Sequence, residues 1–195
     1  MNTELSPRAT ELVNCARALL ASGGYNSFSY ADISKSVGIS KASIHHHFPS
    51  KADLVKTVLV RYREEATAGM AMLKTQISDP LMQLQAYIGY WEKCISEGDS
   101  PLCICALLAA ELPAIPEAVA EEVRGHFQDL TAWLASVLKH AAEQGSIALH
   151  SNAQDEAMVL MATVHGAMLS ARTSGDPTVF IKVTQLLVNK LKAKQ

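Results

Sequence analysis

Three consecutive histidines, His45–His47, and a Cys-x-Cys pair, Cys103 and Cys105, are the residues whose types most directly suggest chemistry. Imidazole nitrogens and thiolates are ligands that zinc prefers. Consecutive helical residues point about 100° apart and residues two apart also diverge, so neither group can converge on one ion. We therefore expect no metal site and no cofactor. The cysteines are then small apolar core fillers, as buried cysteines mostly are.

The histidines lie in a stretch that local signals divide into two short helices, with the motif spanning residues 29–48. Ser29 is suited to cap the first helix, and Gly38 supplies the left-handed residue that ends it. Ser40 caps the second helix, and Pro49 stops it because the residue before a proline is disfavoured in helical geometry. Two short helices joined by a tight turn with glycine form the helix-turn-helix pattern.

The second helix of this motif has one apolar and one polar side. Ile44 and Phe48 form its buried stripe. Small residues, hydrogen-bond donors and a cation on the opposite side suit base edges and phosphates in a major groove. An ordinary helical corner with solvated polar residues is the alternative. The outward residues are Lys41, Ala42, Ser43, His45 and His46.

The run GGYNSFSYADISKSVGISKASIHHHFPSKADLV resembles the DNA-binding signature of the TetR family of bacterial transcriptional regulators. The family usually has glycine where Ala42 stands and tyrosine where His45 stands. Because that tyrosine commonly touches DNA, the resemblance does not carry over a base preference. The positions that match the signature are Gly24, Tyr25, Ser29, Asp32, Ile33, Gly38, Ile39, Ser40, Lys41, His47, Phe48, Ser50, Lys51 and Leu54.

The resemblance implies a DNA-binding regulator, a repressor, that binds a palindromic operator as a homodimer and is released by a small-molecule inducer. Lys51 is expected to point to the DNA backbone from the start of the fourth helix. The residues expected at the DNA are Ser29, Tyr30, Ser40, Lys41, Ala42, Ser43, His45, His46, His47 and Lys51.

The formal net charge of −2 conceals an asymmetry along the chain. Residues 1–63 hold eight Lys/Arg and four Asp/Glu, hence +4, while the remainder holds nine and fifteen, hence −6. A basic part on an acidic body is typical of a phosphate-facing reader joined to a domain that avoids DNA. The asymmetry supports the DNA-binding prediction without carrying it alone.

Apolar spacing and helix breakers predict an all-α fold of nine helices, without a strand or an internal repeat. Residues 5–65 are expected to form a three-helix helix-turn-helix DNA-binding domain, and residues 66–195 a helical ligand-binding and dimerisation domain. The fourth helix starts at Lys51 and meets no breaker until about Asp79, so it is a rigid connector of about 35 Å or more at ~1.5 Å per residue.

The last two helices are apolar on more than one side, which predicts a homodimer formed through about 153–192. A helix with two apolar faces needs two partners, and the natural second partner is the same surface on another copy. The core helix of a monomer is the alternative. The eighth helix carries one stripe of Met158, Met161, Ala162, His165, Met168 and Leu169, and another of Leu160, Val164, Ala167 and Ala171.

Aromatic side chains and a few polar groups in the second domain are suited to line a small-molecule cavity. They are also what any helical core contains, and the sequence leaves both interpretations open. Glu111 stands out because a carboxylate in an apolar segment requires a partner. The candidate ligand-binding residues are Tyr87, Trp91, Cys103, Glu111, Phe127, Trp133, Met161 and His165.

Cys103 or Cys105 has a second interpretation, as the sensing thiol of a repressor that responds to oxidants or electrophiles. The resemblance implies it, because some TetR-like regulators respond through a cysteine in this region. Reactivity requires a thiol pKa lowered by neighbouring cations, and the local sequence offers only Lys93.

Other classes of function find less support. The chain has no Gly-rich phosphate loop, no G-x-S-x-G and no H-E-x-x-H, so we expect no enzyme. No apolar run approaches the ~20 residues that span a bilayer, and no export signal is recognisable, so we expect a cytoplasmic protein without membrane contact. A helical protein-interaction module without DNA binding remains the alternative from another class. Neither the operator and the regulated genes nor the inducer and the sign of regulation can be read from the sequence.

Overall fold

The computed structural model describes residues 5–98 and 102–192, and within these ranges it contains nine α-helices and no strand beyond one isolated bridge between Ile147 and Lys192. The predicted all-α class is therefore confirmed. None of the helices in the described ranges is long and apolar enough to span a bilayer. The helices are α1 Pro7–Gly23, α2 Tyr30–Val37, α3 Lys41–His47, α4 Lys51–Gln76, α5 Pro80–Glu97, α6 Ile104–Ala109, α7 Glu117–Glu143, α8 Ala153–Ser174 and α9 Thr178–Leu191.

Local capping chemistry sets most of these boundaries. The Ser6 hydroxyl accepts a hydrogen bond from the Ala9 amide at 3.2 Å, and Pro7 occupies the first position of α1, where a missing N–H costs nothing. Asp79 caps α5 in the same way, ahead of a second N-terminal proline. Gly38 ends α2 in the left-handed region at φ 72°, which a residue without Cβ adopts readily.

The chain divides into two compact units. The N-terminal unit comprises Met1–Glu65 and Ile104–His126, and the C-terminal unit comprises Ala66–Cys103 and Phe127–Gln195. One division falls between residues 65 and 66. Residues 104–126 group with the N-terminal unit and not with the rest of residues 66–195, because α6 packs against α1.

The N-terminal unit is built around one small core to which each of its first four helices contributes. Leu12 and Leu20 of α1, Ile33 of α2, Ile44 of α3 and Leu54 of α4 are fully buried. A core this small gives limited stability on its own. The packing of α6 on α1 adds apolar contact to it.

In the C-terminal unit, α8 and α9 pack closely against each other. The second predicted stripe of α8, which includes Leu160 and Val164, is buried. Part of the first stripe is exposed instead, with Met158 at 46% and Leu169 at 51% of full exposure. The helix is thus apolar on a covered and on an uncovered side.

Candidate functional site

The two helices of the predicted motif are fixed by their caps. Ser29 accepts a hydrogen bond from the Ala31 amide, while the Asp32 carboxylate accepts from the Ser29 amide at 2.7 Å, completing a capping box. The hydrogen bonds from the Ser29 side chain and amide lower the pKa of Asp32. Ser40 accepts from the Ser43 amide at 3.2 Å and so starts α3.

The exposed side of α3 carries the residues expected to read DNA. Burial of Ile44 and of Phe48 turns this helix so that its polar side faces outward. His45 is held at its end, with Nδ1 3.0 Å from the Pro49 carbonyl oxygen. Lys41, Ala42, His45 and His46 are exposed, and Ser43 and His47 are half-buried.

Tyr30, also expected at the DNA, is directed into the N-terminal unit. Its hydroxyl donates to the Phe48 carbonyl oxygen at 2.9 Å, and its ring meets the His45 ring edge-on at 4.8 Å. Burial, followed by the charge of Asp53, raises the pKa of Tyr30 to about 12. Tyr30 therefore joins α2 to the end of α3 and places His45, because its own polar atom is engaged inside the fold.

Lys51 lies at the start of α4, as expected, but its ammonium group also turns inward. It donates a hydrogen bond to the Phe28 carbonyl oxygen and lies 4.5 Å from the centroid of the Tyr25 ring and 4.3 Å from that of Phe28. Partial burial lowers the pKa of Lys51, against smaller opposing contributions from the charges of Glu111 and Asp32. The ammonium group is thus bound to the α1–α2 connection, residues 24–29, rather than extended towards a phosphate.

Glu111, expected to line a ligand cavity, lies in the N-terminal unit against the same α1–α2 connection. Its Oε1 accepts a hydrogen bond from the Tyr25 amide at 3.1 Å, and its Oε2 accepts from the Asn26 side-chain amide at 3.3 Å. Gly24 has φ 82° and ψ −169°, and a Cβ at this position would lie 1.8 Å from Glu111 Oε1. The sequence analysis required a partner for this carboxylate. That partner is the α1–α2 connection, which contributes a backbone amide and a side-chain amide and lies far away in the sequence.

The N-terminal unit also contains two neighbouring residues of types that bind metals. A ligand atom of Cys105 lies within 4.8 Å of one of His126, and both residues are buried. Sequence reasoning missed this pair because the two residues lie on different helices.

The other seven candidate ligand residues lie in the C-terminal unit, where they form what we call the C-terminal cluster. The rings of Tyr87 and Trp133 meet edge-on with centroids 5.6 Å apart, and those of Phe127 and His165 with centroids 5.3 Å apart. Cys103 is close enough to Tyr87 and His165 to influence the ionisation of both. The cluster consists of Tyr87, Trp91, Cys103, Phe127, Trp133, Met161 and His165.

Polar atoms without a hydrogen-bond partner in the protein concentrate in this cluster. Most buried polar side-chain atoms in folded proteins have a partner. Among residues 5–98 and 102–192, four buried side-chain nitrogen or oxygen atoms have no such partner, and all four belong to cluster residues. They are the Tyr87 hydroxyl, Trp91 Nε1, Trp133 Nε1 and His165 Nε2.

Burial and neighbours shift two ionisations in the cluster. Burial, reinforced by Cys103, raises the pKa of Tyr87 against a smaller opposing hydrogen-bond contribution from the Trp91 indole, and keeps its hydroxyl protonated. Burial alone would lower the pKa of His165, but the Cys103 sulfur and the Met161 carbonyl oxygen outweigh it and raise that pKa. His165 Nδ1 lies 2.9 Å from the Met161 carbonyl oxygen, so in the neutral ring Nδ1 carries the proton. Sequence reasoning placed Cys103 and His165 in the same candidate cavity, but it offered Lys93 and not His165 as the cation near the thiols.

Comparison with known proteins covers both parts of the chain. The family model for bacterial regulatory proteins of the tetR family matches residues 12–58, and the model for the tetracyclin repressor-like C-terminal domain matches residues 80–187, more than half of the chain. A TetR-family transcriptional regulator from Agrobacterium tumefaciens is 54% identical, with a TM-score of 0.93 over 95% of this chain and 98% of that one.

More distant relatives also match along most of the chain. A TetR transcriptional regulator from Legionella pneumophila is 25% identical, with a TM-score of 0.86 over 98% of this chain and 100% of that one. The HTH-type transcriptional regulator UidR of Escherichia coli K12 is 24% identical over 172 residues, which are 86% of this chain and 83% of UidR. Their family is one of regulators and not of enzymes, and α2 and α3 build its helix-turn-helix. The chain therefore belongs to the TetR family of DNA-binding transcriptional regulators.

Proposed function

We propose that this regulator is a repressor that binds a palindromic operator as a homodimer and leaves it when a small molecule occupies the C-terminal cluster. The exposed polar side of α3 is the observation that carries this proposal. Lys41 is exposed in the first turn, and His45 and His46 are exposed towards the end of the helix. A recognition helix of this length places such side chains at phosphates and base edges of one half-site.

A second copy of the chain supplies the other half-site. Large apolar side chains of α8 and α9 are exposed, with Val159 at 57% and Leu186 at 63% of full exposure. Contiguous exposed apolar surface marks interaction sites. A two-fold axis through this face would pair it with itself, and two-fold symmetry is what a palindrome requires.

Selection of bound sequences from random DNA, repeated at several salt concentrations, tests the DNA-binding part. We expect a palindrome occupied by two protomers, with half-site centres about 34–36 Å apart or a multiple of that distance. The affinity should fall steeply as salt increases, because phosphate contacts release counterions. Recovery of no enriched sequence would favour the protein-interaction alternative.

The C-terminal cluster supports the inducer part. Small-molecule sites combine aromatic and apolar walls with a few polar groups, and the cluster has both. A ligand there can release DNA only by binding one conformation of the dimer more tightly than another. The tetracyclin repressor-like C-terminal model that matches this region agrees with a repressor.

The contact between Cys103 and His165 favours a second candidate, sensing of electrophiles. His165 would take the thiol proton, the Cys103 thiolate would add to the β-carbon of an α,β-unsaturated carbonyl compound, and the resulting enolate would take the proton back. Because Cys103 has 0% exposure, the electrophile must first enter the cluster.

Treatment of the operator complex with an enone, followed by mass spectrometry of the protein, separates the two candidates. If Cys103 only fills space, Cys103→Ala costs on the order of 1 kcal/mol or less, and operator release by the enone is the same in wild type and variant. The sensor is established if the enone releases the wild-type protein from the operator and leaves an adduct on Cys103, while Cys103→Ser shows neither the release nor the adduct. Cys94→Ser is the control variant, because Cys94 is half-buried and therefore not enclosed as Cys103 is.

A further inference from the structure

The unpartnered polar atoms of the C-terminal cluster have a common chemical character. Tyr87 and Trp91 lie one turn apart on α5 and so share a face of that helix. Trp133 of α7 meets the Tyr87 ring at 5.6 Å. The phenol hydroxyl and the two indole N–H groups are three hydrogen-bond donors within one region, and an indole N–H cannot accept.

Three donors require more acceptor capacity than a neutral carbonyl group offers. A carbonyl oxygen has two lone pairs, whereas a carboxylate has about four acceptor positions over two oxygens. Tyr87 is 8% and Trp91 6% exposed, so their donors lie where an unmet hydrogen bond is costly. A ligand that meets all three must therefore bring an acceptor-rich group.

His165 adds a charge that can balance such a group. Its Nδ1 is engaged with the Met161 carbonyl oxygen at 2.9 Å, and the Cys103 sulfur is a hydrogen-bonding neighbour that favours a proton on the ring. A protonated ring would be a cation next to the donors, and buried anions require a cationic or hydrogen-bonded partner. The Phe127 ring, 5.3 Å from the His165 ring, supplies an apolar wall.

We propose that the C-terminal cluster binds a small carboxylic acid as its carboxylate, with the Tyr87 hydroxyl and the Trp91 and Trp133 N–H groups donating to it and His165 as its counter-ion. The apolar body of the acid lies among the aromatic rings. This inference names the ligand class of the proposed inducer and so rests on the proposed function.

Thermal unfolding of the full-length protein, without DNA, in the presence of matched compounds tests the ligand class. The probes are monocarboxylates from acetate through phenylacetate to decanoate, each with the amide and the amine of the same carbon skeleton. We expect at least one carboxylate to raise the melting temperature by several degrees at 100 times its Kd, and its amide and amine to have little effect. Stabilisation by the amines alone, or by no carboxylate in the series, would overturn the proposal.

Tyr87→Phe locates the site and separates a binding role from a structural one. The substitution removes only a hydroxyl, whose polar neighbours in the cluster are the Trp91 indole and the Cys103 sulfur, so the melting temperature of the ligand-free protein should change little. The affinity for the carboxylate should fall about tenfold or more, because hydrogen bonds to charged groups are strong. Tyr90→Phe, which removes the same group from a residue that is 58% exposed on the same helix, should change neither.

Loss of stability in Tyr87→Phe with unchanged carboxylate affinity would refute the site. Operator release is measured separately, by DNA-binding titration with and without the same acid. Carboxylate binding that fails to release the operator would leave the ligand class standing and contradict the proposed inducer function instead.

Discussion

Glu111 and Gly24 form a pair in which each residue restricts the other. The glycine has a backbone conformation that is essentially confined to glycine, and the space beside it is filled by the Glu111 carboxylate. Through Tyr25 and Asn26 the carboxylate orders the α1–α2 connection, from which α2 starts. A side chain next to α6 thus contributes to the position of the helix-turn-helix.

Gly24→Ala should lower the free energy of unfolding by about 2–4 kcal/mol, from backbone strain and from displacement of the carboxylate. Urea unfolding of Gly24→Ala, Glu111→Ala and the double variant measures the coupling. The double variant should cost less than the sum of the single variants by about 1 kcal/mol, because the clash is removed only once.

Gly38→Ala is the matched control for this cycle. Gly38 also has a positive φ, 72°, but nothing lies within 4 Å of a Cβ built there. Its cost should therefore add to that of Glu111→Ala without coupling. Additive costs for Gly24→Ala as well would show that the carboxylate does not restrict position 24.

The two lysines of the DNA-binding region should separate in their salt dependence. Lys41 is exposed on α3, whereas the Lys51 ammonium is engaged with Phe28. Lys41→Ala should lower the slope of log affinity against log salt by about one unit, as the loss of one phosphate contact does. Lys51→Ala should leave the slope unchanged and lower the melting temperature, because it loosens the α1–α2 connection. A slope lowered by Lys51→Ala at unchanged stability would restore the phosphate contact expected from the sequence.

At the scale of helices, the sequence predicted what local chemistry determines. Caps such as Ser29 and Ser40, a left-handed Gly38 and the Asp79-Pro80 start of α5 placed helix ends to within a few residues, because each acts on neighbours in the chain. The family resemblance added the helix-turn-helix. Contacts between distant segments carry no such local signal, so the partners of Glu111, the inward turn of Lys51 and the pairing of Cys103 with His165 emerged only from the fold.

A charge on the exposed apolar face of α8 and α9 should prevent dimerisation. Leu186→Glu places a carboxylate where the proposed two-fold interface would bury it, at a cost that exceeds the gain from burying neighbouring side chains. Light scattering during size-exclusion chromatography should show a dimer for the wild type and a monomer for the variant. Met82→Glu is the control, since Met82 of α5 is 51% exposed outside this face, and it should remain a dimer. If Leu186→Glu and Met82→Glu are both dimers, Leu186 does not lie in the interface.

For the whole molecule, inducer and operator must affect each other equally. If the inducer weakens operator binding by about 5–150-fold, a coupling of roughly 1–3 kcal/mol, the operator must weaken inducer binding by the same factor. Calorimetric titration of the carboxylate found above into protein alone, and into protein saturated with operator, measures this factor. Equal affinities in the two titrations would leave the C-terminal unit as a dimerisation device without a switching role.

The exposed apolar face of α8 and α9 also affects how steeply operator occupancy depends on the cellular concentration of this protein. If two chains must meet through that face before either half-site is read, then at protomer concentrations below the dimer dissociation constant the amount of competent reader grows with the square of the amount of chain. While the operator is far from saturated, doubling the protomer concentration would then raise operator occupancy about fourfold, and halving it would lower occupancy by the same factor. The area and apolarity of one helical face would set the expression level at which repression changes from graded to complete.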